Sequence, residues 1–277
     1  MIRLLQIELI KLWNNRVSKV LIISYFALLT SIALIAAIKF DIGPIKFHLA
    51  EVGIFNFPYI WHFNTFVMAF FKLFLAIVIV SMMANEYSNK TIKQNLIDGL
   101  SKKEFILSKF LTVVSFALIS TVFLFVVSLI LGLIYSDYDE LSIIFSDLEF
   151  VLAFFVKLMG FFSFCLFLGI LVKRSAFALG FLILWQIIEG ITHGLLRWKL
   201  FDGETTEAIM GFFPLQSMFN LIKEPITRLE AVQTVADQVG EKISLNYHVH
   251  WYEILIVLTW TAIFIYLSYR LLKKRDL

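Results

Sequence analysis

One cysteine in 277 residues, Cys165, leaves no intrachain disulfide to form and no thiolate cluster to hold a metal. Charge is scarce. Asp, Glu, Lys and Arg make up 16% of the chain and hydrophobic residues 60%, against roughly 25% and 45–50% in soluble domains. Catalytic signatures are missing too. No G-x-x-x-x-G-K-[ST] occurs, so the chain lacks the backbone cradle and lysine of a P-loop ATP site. Neither H-E-x-x-H nor G-x-S-x-G is present, and no pair of acids falls inside an apolar run, which counts against a multispan membrane enzyme. His248 and His250 in HVHW have no third ligand at a metal-site spacing.

Long apolar runs are abundant. Six of them, at about 17–38, 61–84, 110–135, 150–172, 176–198 and 251–271, match the roughly 20 residues a helix needs to cross about 30 Å of hydrocarbon. The expected fold class is an all-α polytopic membrane protein with six transmembrane helices, a single domain over 1–277, surrounded by membrane lipid and without a nucleic-acid partner. The first run follows a charged amphipathic stretch and has no small-residue cleavage site, so it reads as a retained span. An even number of spans puts both termini on one side. Fifteen basic residues fall on that side and seven on the other, five of the seven in or beside one long loop. The positive-inside bias therefore places both termini in the cytoplasm. Tyr59, Trp61, Tyr135, Tyr138, Trp198, Trp251 and Tyr252 gather at the opposite interface, as aromatic belts do.

Two stretches that do not span have amphipathic character. In MIRLLQIELIKLWNNR, about 1–16, Ile2, Leu5, Leu9, Leu12 and Trp13 share one side at helical spacing, and Arg3, Glu8, Lys11, Asn14 and Asn15 fall mostly on the other, with Leu4 and Ile7 interrupting. That pattern suits an interfacial elbow helix. Within the loop at about 199–250, EAIMGFFPLQSMFNLIK is too short to cross and too apolar for a solvated loop. It predicts a re-entrant helical hairpin before the last span, broken at Pro214. The following EPITRLEAVQTVADQVGEKIS predicts an external amphipathic helix.

The polar insert NEYSNKTIKQNLIDGLSKKEFILSK, about 85–109, separates the second and third runs. Asn89 is a candidate N-cap for a short helix, Asp98-Gly99 a turn that ends it, and Ser101 with Glu104 a capping box that restarts the chain as a helix. The product is a helix-turn-helix knob. On charge alone it reads sooner as a basic connector that only obeys the positive-inside rule. Its residues, however, resemble the loop after the second span in membrane subunits of ABC-2-type (type V) ABC exporters, which runs E-x4-T, a Leu-rich stretch, P-x-S-R and a closing Lys. Glu86 and Thr91 have that spacing, Leu96 lies in the Leu-rich stretch, Ser101-Lys102 stands in the S-R place and Lys109 closes the pattern, with Gly99 replacing the usual Pro. The layout of elbow helix, six spans and hairpin is similar as well.

The resemblance implies an exporter permease whose coupling helix, bearing Lys93, sits in a groove of a separate nucleotide-binding subunit, present in two copies. ATP and Mg would be bound by that partner and no cofactor by this chain. A second permease subunit, either another copy or a paralogue, would complete the pathway in a bacterial cytoplasmic membrane. A secondary transporter or channel is the competing class, disfavoured by the lack of an inverted repeat. A non-transporting anchor that holds a partner through the external loop is another.

Three ionisable residues fall inside the apolar runs: Lys72, Lys157 and Glu189. Each costs roughly 2.5–3.5 kcal/mol at a bilayer centre unless paired or hydrated. Gln186, Glu189, His193 and Arg197 form a polar stripe at helical spacing. Either the stripe lines a substrate path, or Glu189 pairs with Lys157 or Lys72 and Arg197 reaches the headgroups.

Overall fold

The computed structural model describes residues 2–37, 39–42, 45–48, 53–239 and 246–275. Helices dominate it. α1 (Ile2–Asn14) and α2 (Arg16–Ala37) meet at Asn15, whose Oδ1 accepts the Ser18 N–H at 3.0 Å and caps the second helix. A two-stranded antiparallel hairpin follows, β1 (Lys39–Ile42) with β2 (Ile45–His48), pairing Lys39 with His48 and Ile42 with Ile45. The alternation of Phe40, Ile42, Ile45 and Phe47 about Gly43-Pro44 is its sequence signal. Ile38, the end of the first expected span, and Lys242 of the basic count lie outside the described residues.

The apolar pattern predicts one straight span at 61–84, and here the structure differs. The chain breaks into α3 (Tyr59–Ala69) and α4 (Lys72–Ser88), bent by 45°. At the break the ladder tightens to i→i−3 bonds, from Phe70 N–H to Val67 O at 3.2 Å and from Phe71 N–H to Met68 O at 3.1 Å. Neither Gly nor Pro stands there, so nothing in the sequence marks the kink.

After α5 (Thr91–Ile97) comes α6 (Lys102–Tyr135), whose 34 residues extend about 50 Å at 1.5 Å per residue. Hydrocarbon is about 30 Å thick, so α6 projects well past a span. A short α7 (Leu141–Ile144) precedes α8 (Glu149–Val172), and α9 (Ser175–Leu195) ends in a π-helical turn, Leu196–Leu200. The segment after α9 folds as α10 (Gly203–Met210), α11 (Pro214–Asn220), a 3₁₀ turn at Ile226–Arg228 and α12 (Glu230–Val239), before α13 (Trp251–Lys274). α10, α11 and α12 are helices within the stretch that the sequence sets aside as non-spanning, and residues 240–244 of the expected amphipathic helix lie outside the described residues. Pro214 opens α11 as its first residue, where its missing N–H costs nothing.

Four segments, containing α6, α8, α9 and α13, are long and apolar enough to cross a membrane, and the bent α3–α4 pair is a fifth if taken as one crossing. Among the described residues the fold is all-helical but for the β1–β2 hairpin, and its apolar helices are those of a membrane protein. α8 is its axis, packed against α4, α6, α9 and α13, with Phe154, Phe162, Phe164, Cys165 and Leu166 wholly buried. Lipid chains are as apolar as these side chains, so close packing holds the helices together. Gly160 makes one close approach possible, since a Cβ there would stand 2.8 Å from Val257 Cγ1 on α13.

Polar contacts tie each end of the bundle. At one end Arg275 donates to the α8 carbonyls of Ile170 at 2.5 Å and Leu171 at 3.0 Å, and to Tyr87 Oη at 2.9 Å. A cation there satisfies carbonyls that a helix C-terminus leaves free. Lys102 Nζ in turn donates to Arg275 O at 2.9 Å, so α4, α6, α8 and α13 meet at this end. At the other end Trp61 Nε1 donates to Ile144 O at 2.8 Å, Tyr59 Oη donates to Pro225 O at 3.0 Å, and Arg228 meets Asp147 at 2.6 Å. His248 Nδ1 lies 3.0 Å from Glu149, and His250 shares a capping box with Glu253 at the start of α13.

Candidate functional site

The polar insert folds as a compact knob, for reasons local to its sequence. Lys90 adopts a left-handed φ of 56° and reverses the chain after α4, which returns Thr91 to Glu86. Asn89, the expected N-cap, instead ends α4, because that helix runs on to Ser88 and the reversal falls one residue later. α5 ends at Gly99, whose φ of +97° suits a residue without Cβ, and Leu100 N–H returns to Asn95 O at 3.0 Å. Ser101 then caps α6 as predicted: its Oγ accepts the Glu104 N–H at 3.2 Å, and Glu104 Oε2 accepts the Ser101 N–H at 2.9 Å.

Beneath the knob lies a buried charge network. Lys109 is fully buried on α6, with its Nζ 2.6 Å from Glu8 Oε2 and 2.6 Å from Glu86 Oε1. Lys11 Nζ adds contacts to Glu86 Oε1 at 3.1 Å and Glu8 Oε1 at 3.5 Å, while Thr91 Oγ1 donates to the other Glu86 oxygen. Burial lowers the Lys11 ammonium, but the Glu8 and Glu86 carboxylates outweigh it and hold it above its ordinary value. Two carboxylates and two ammonium groups thus balance, and they join α1, α4, α5 and α6. A cavity of about 260 Å³ beside them is lined by Glu8, Lys11, Asn15, Ser18, Glu86 and Thr91 among others.

Three motif residues, Glu86, Thr91 and Lys109, therefore meet at one point. The others of the pattern stand apart. Lys93 is exposed on α5, Leu96 is half-buried against the core, and Lys102 binds the end of α13. Glu8 and Lys11 complete the network, although the periodicity of α1 puts them on its polar, solvent side. The structure corrects that face: Glu8 and Leu12 are buried towards the bundle, while Ile2, Ile10 and Trp13 are exposed. A fully buried lysine on α6 supplies the reason, since a carboxylate facing it recovers its desolvation cost. The single acid within the long apolar stretch of α1 was the available signal.

The charges inside the apolar runs separate into two groups. Glu189 is buried at 3% exposure and pairs with neither lysine. Its carboxylate instead accepts the Leu215 N–H at 3.1 Å, the Gln216 N–H at 2.8 Å and Trp185 Nε1–H at 2.7 Å. It thus satisfies the free N–H groups that open α11 and matches the positive end of that helix. His193 Nε2 lies 3.0 Å from Glu207 of α10. Glu189 and His193 of the stripe therefore pin the Pro214 hairpin to α9. Arg197 is exposed on the π-helical turn, and Gln186 turns into a different space.

That space is a cavity of about 290 Å³ between the α3–α4 break, α8, α9 and α11, lined by Lys72, Lys157, Gln186 and apolar side chains. Lys157 is 2% exposed, with one 3.4 Å bond from Nζ to Phe219 O, and its ammonium lies 5.5 Å from the Phe219 ring. Lys72 Nζ sits 4.5 Å from the centre of the Phe161 ring. Among the described residues neither meets a carboxylate.

A search of curated proteins returns no match to the chain. One family model covers α3 to α13 and most of α2, leaving α1 with Glu8 and Lys11 outside. By that match over residues 25–277 the chain belongs to the family described as protein of unknown function (DUF2705).

Proposed function

We propose that this chain is the membrane-spanning permease subunit of an ATP-driven ABC-2-type exporter, and that α5 passes motion to the spans from a separate nucleotide-binding subunit. One observation carries the reading. The Glu8–Lys109–Glu86–Lys11 network fastens α5 to α1, α4 and α6, while the outward side of α5, with Lys93, Gln94 and Ile97, stays exposed. A short helix fixed on its inner side and free on its outer side is built as a lever: force applied to the free face reaches three other helices together. Rigid-body displacement of such an element is a recognised way of switching a membrane or domain assembly.

On this reading α2, with 22 residues, is the first of six spans, the knob faces the cytoplasm of a bacterial inner membrane with both termini, and α1 lies in the interface with Ile2, Ile10 and Trp13 towards lipid. The α10–α11 hairpin re-enters the outer leaflet, where irregular backbone beside α11 is tolerated because α11 packs against α8, α9 and α13. ATP and Mg belong to the partner, in two copies. A second permease, identical or paralogous, completes the pathway.

Affinity purification of the tagged chain from its native membrane tests the proposal. A P-loop ATPase is expected to be retained by the unaltered chain and lost on Lys93→Glu with Ile97→Asp, with membrane insertion unchanged. Recovery without any ATPase, or equal retention by the altered chain, refutes it.

A further inference from the structure

Two lysines that share one cavity and meet no acid among the described residues need an explanation. Other cations that contact the bundle have one: Lys109, fully buried, has two carboxylates, and Arg275, at its end, has two carbonyls and a phenol. Lys157 is as deeply buried as Lys109, yet its ammonium has one long carbonyl contact and an aromatic face. Lys72 has an aromatic face alone among its described contacts. Aromatic faces attract an ammonium by about 0.5–2 kcal/mol, which does not offset two like charges in one apolar space.

The walls say what kind of anion fits. Phe70, Leu73, Ile183 and Phe219 line the cavity and are themselves exposed on the outer surface of the helices, so the mouth opens sideways between the α3–α4 break and α9. A membrane around these helices would present acyl chains at that mouth. Small free anions would reach the lysines only by crossing apolar surface. We propose that the cavity binds an anionic amphiphile that enters from the bilayer, its acidic headgroup between Lys72 and Lys157 and its tail along Phe70, Leu73 and Ile183. Gln186, on the same wall, supplies an uncharged donor and acceptor to the headgroup. The inference rests on the helices being membrane spans and does not require the partner ATPase. Its test is therefore made on the isolated chain, and failure of ATPase capture leaves it standing.

The experiment is native mass spectrometry of the purified chain in detergent with equal amounts of phosphatidylglycerol and phosphatidylcholine of matched tails. One phosphatidylglycerol per chain is expected to be retained in preference to phosphatidylcholine. Each of Lys72→Gln and Lys157→Gln should lower its retention about fivefold, in line with the effect of one lysine beside an anionic lipid. The Lys72→Arg and Lys157→Arg pair should keep it. Ile183→Trp leaves both lysines in place, lies on the exposed rim, and should lower retention by narrowing the mouth, which keeps the test open should a glutamine variant fold poorly. Equal retention of the two lipids, wild-type retention by a chain carrying both Lys72→Gln and Lys157→Gln, or displacement of phosphatidylglycerol by millimolar inorganic phosphate overturns the proposal; the last would make the site one for a free anion.

Discussion

Lys109→Met is the sharpest test of the inner network. The substitution keeps most of the side-chain volume and removes only the ammonium, which makes two 2.6 Å contacts to carboxylates that are each about 5% exposed. What remains is two buried acids with Lys11 as their one cation among the described residues, and Lys11 is 42% exposed and holds its nearest oxygen at 3.1 Å. An exposed pair contributes about 0–1 kcal/mol, so Lys11 restores little. Removing one partner from a buried pair costs about 3–5 kcal/mol, mainly because the other charge stays buried and unpaired. Neutralising the set as a whole should cost far less. Lys109→Met with Glu8→Gln and Glu86→Gln is expected to recover most of the loss, since a buried ion set exchanged for neutral groups of similar volume is often near neutral. Equilibrium unfolding by sodium dodecyl sulfate in mixed micelles, followed by tryptophan fluorescence, measures each variant and the coupling among them. A loss below about 1 kcal/mol for Lys109→Met, or strict additivity across the three sites, refutes the network as the joint between α1, α4, α5 and α6.

Other outcomes follow from single contacts. Glu189→Gln replaces a carboxylate that receives two backbone N–H groups, at a cost of about 1.5–3 kcal/mol. With Cys165→Ala as background, a cysteine at the buried Met218 should then react with maleimide at least about tenfold faster, and an unchanged rate would show that Glu189 does not hold the hairpin. Ser101→Ala removes the α6 capping box and should cost about 0.5–2 kcal/mol, visible as faster amide hydrogen exchange confined to the first turn of α6. Gly160→Ala places a Cβ 2.8 Å from Val257 and should destabilise by about 1–3 kcal/mol. Adding Val257→Ala should restore stability if that contact is the cause.

How far the fold could be read in advance depended on whether the signal was local. Apolar length located α6, α8, α9 and α13, and short-range chemistry located the Gly99 turn, the Ser101 cap, Pro214 at the head of α11, and α12. Each is set by neighbours within a few residues. The α3–α4 break was not legible, because an i→i−3 tightening between two phenylalanines leaves the apolar pattern unchanged. The face of α1 was misjudged for a different reason. Amphipathic periodicity assumes that charge seeks water, and Glu8 instead seeks Lys109, 101 positions away. The pairing of Glu189 with backbone N–H groups was hidden likewise: a sequence displays lysines as candidate partners but does not display the free N–H groups of a helix that starts 25 residues later.

Lys109 and Lys157 show how the same residue can mean different things in the same bundle. Both are fully or almost fully buried, and both sit on long apolar helices. Lys109 is explained within the chain, since every strong contact it needs comes from Glu8 and Glu86, and its removal should be felt as lost stability. Lys157 is not so explained. If its role were structural, replacing it by an uncharged residue should destabilise the bundle as at Lys109; a buried ammonium with no counter-charge among the described residues opposes folding instead, so its removal should not. A chain that retains such a cost, next to a second lysine and a sideways mouth, is using the charge on something outside itself. The two variants should accordingly move apart: Lys109→Met lowers stability with no lipid present, whereas Lys157→Gln holds or raises it and loses the anionic lipid.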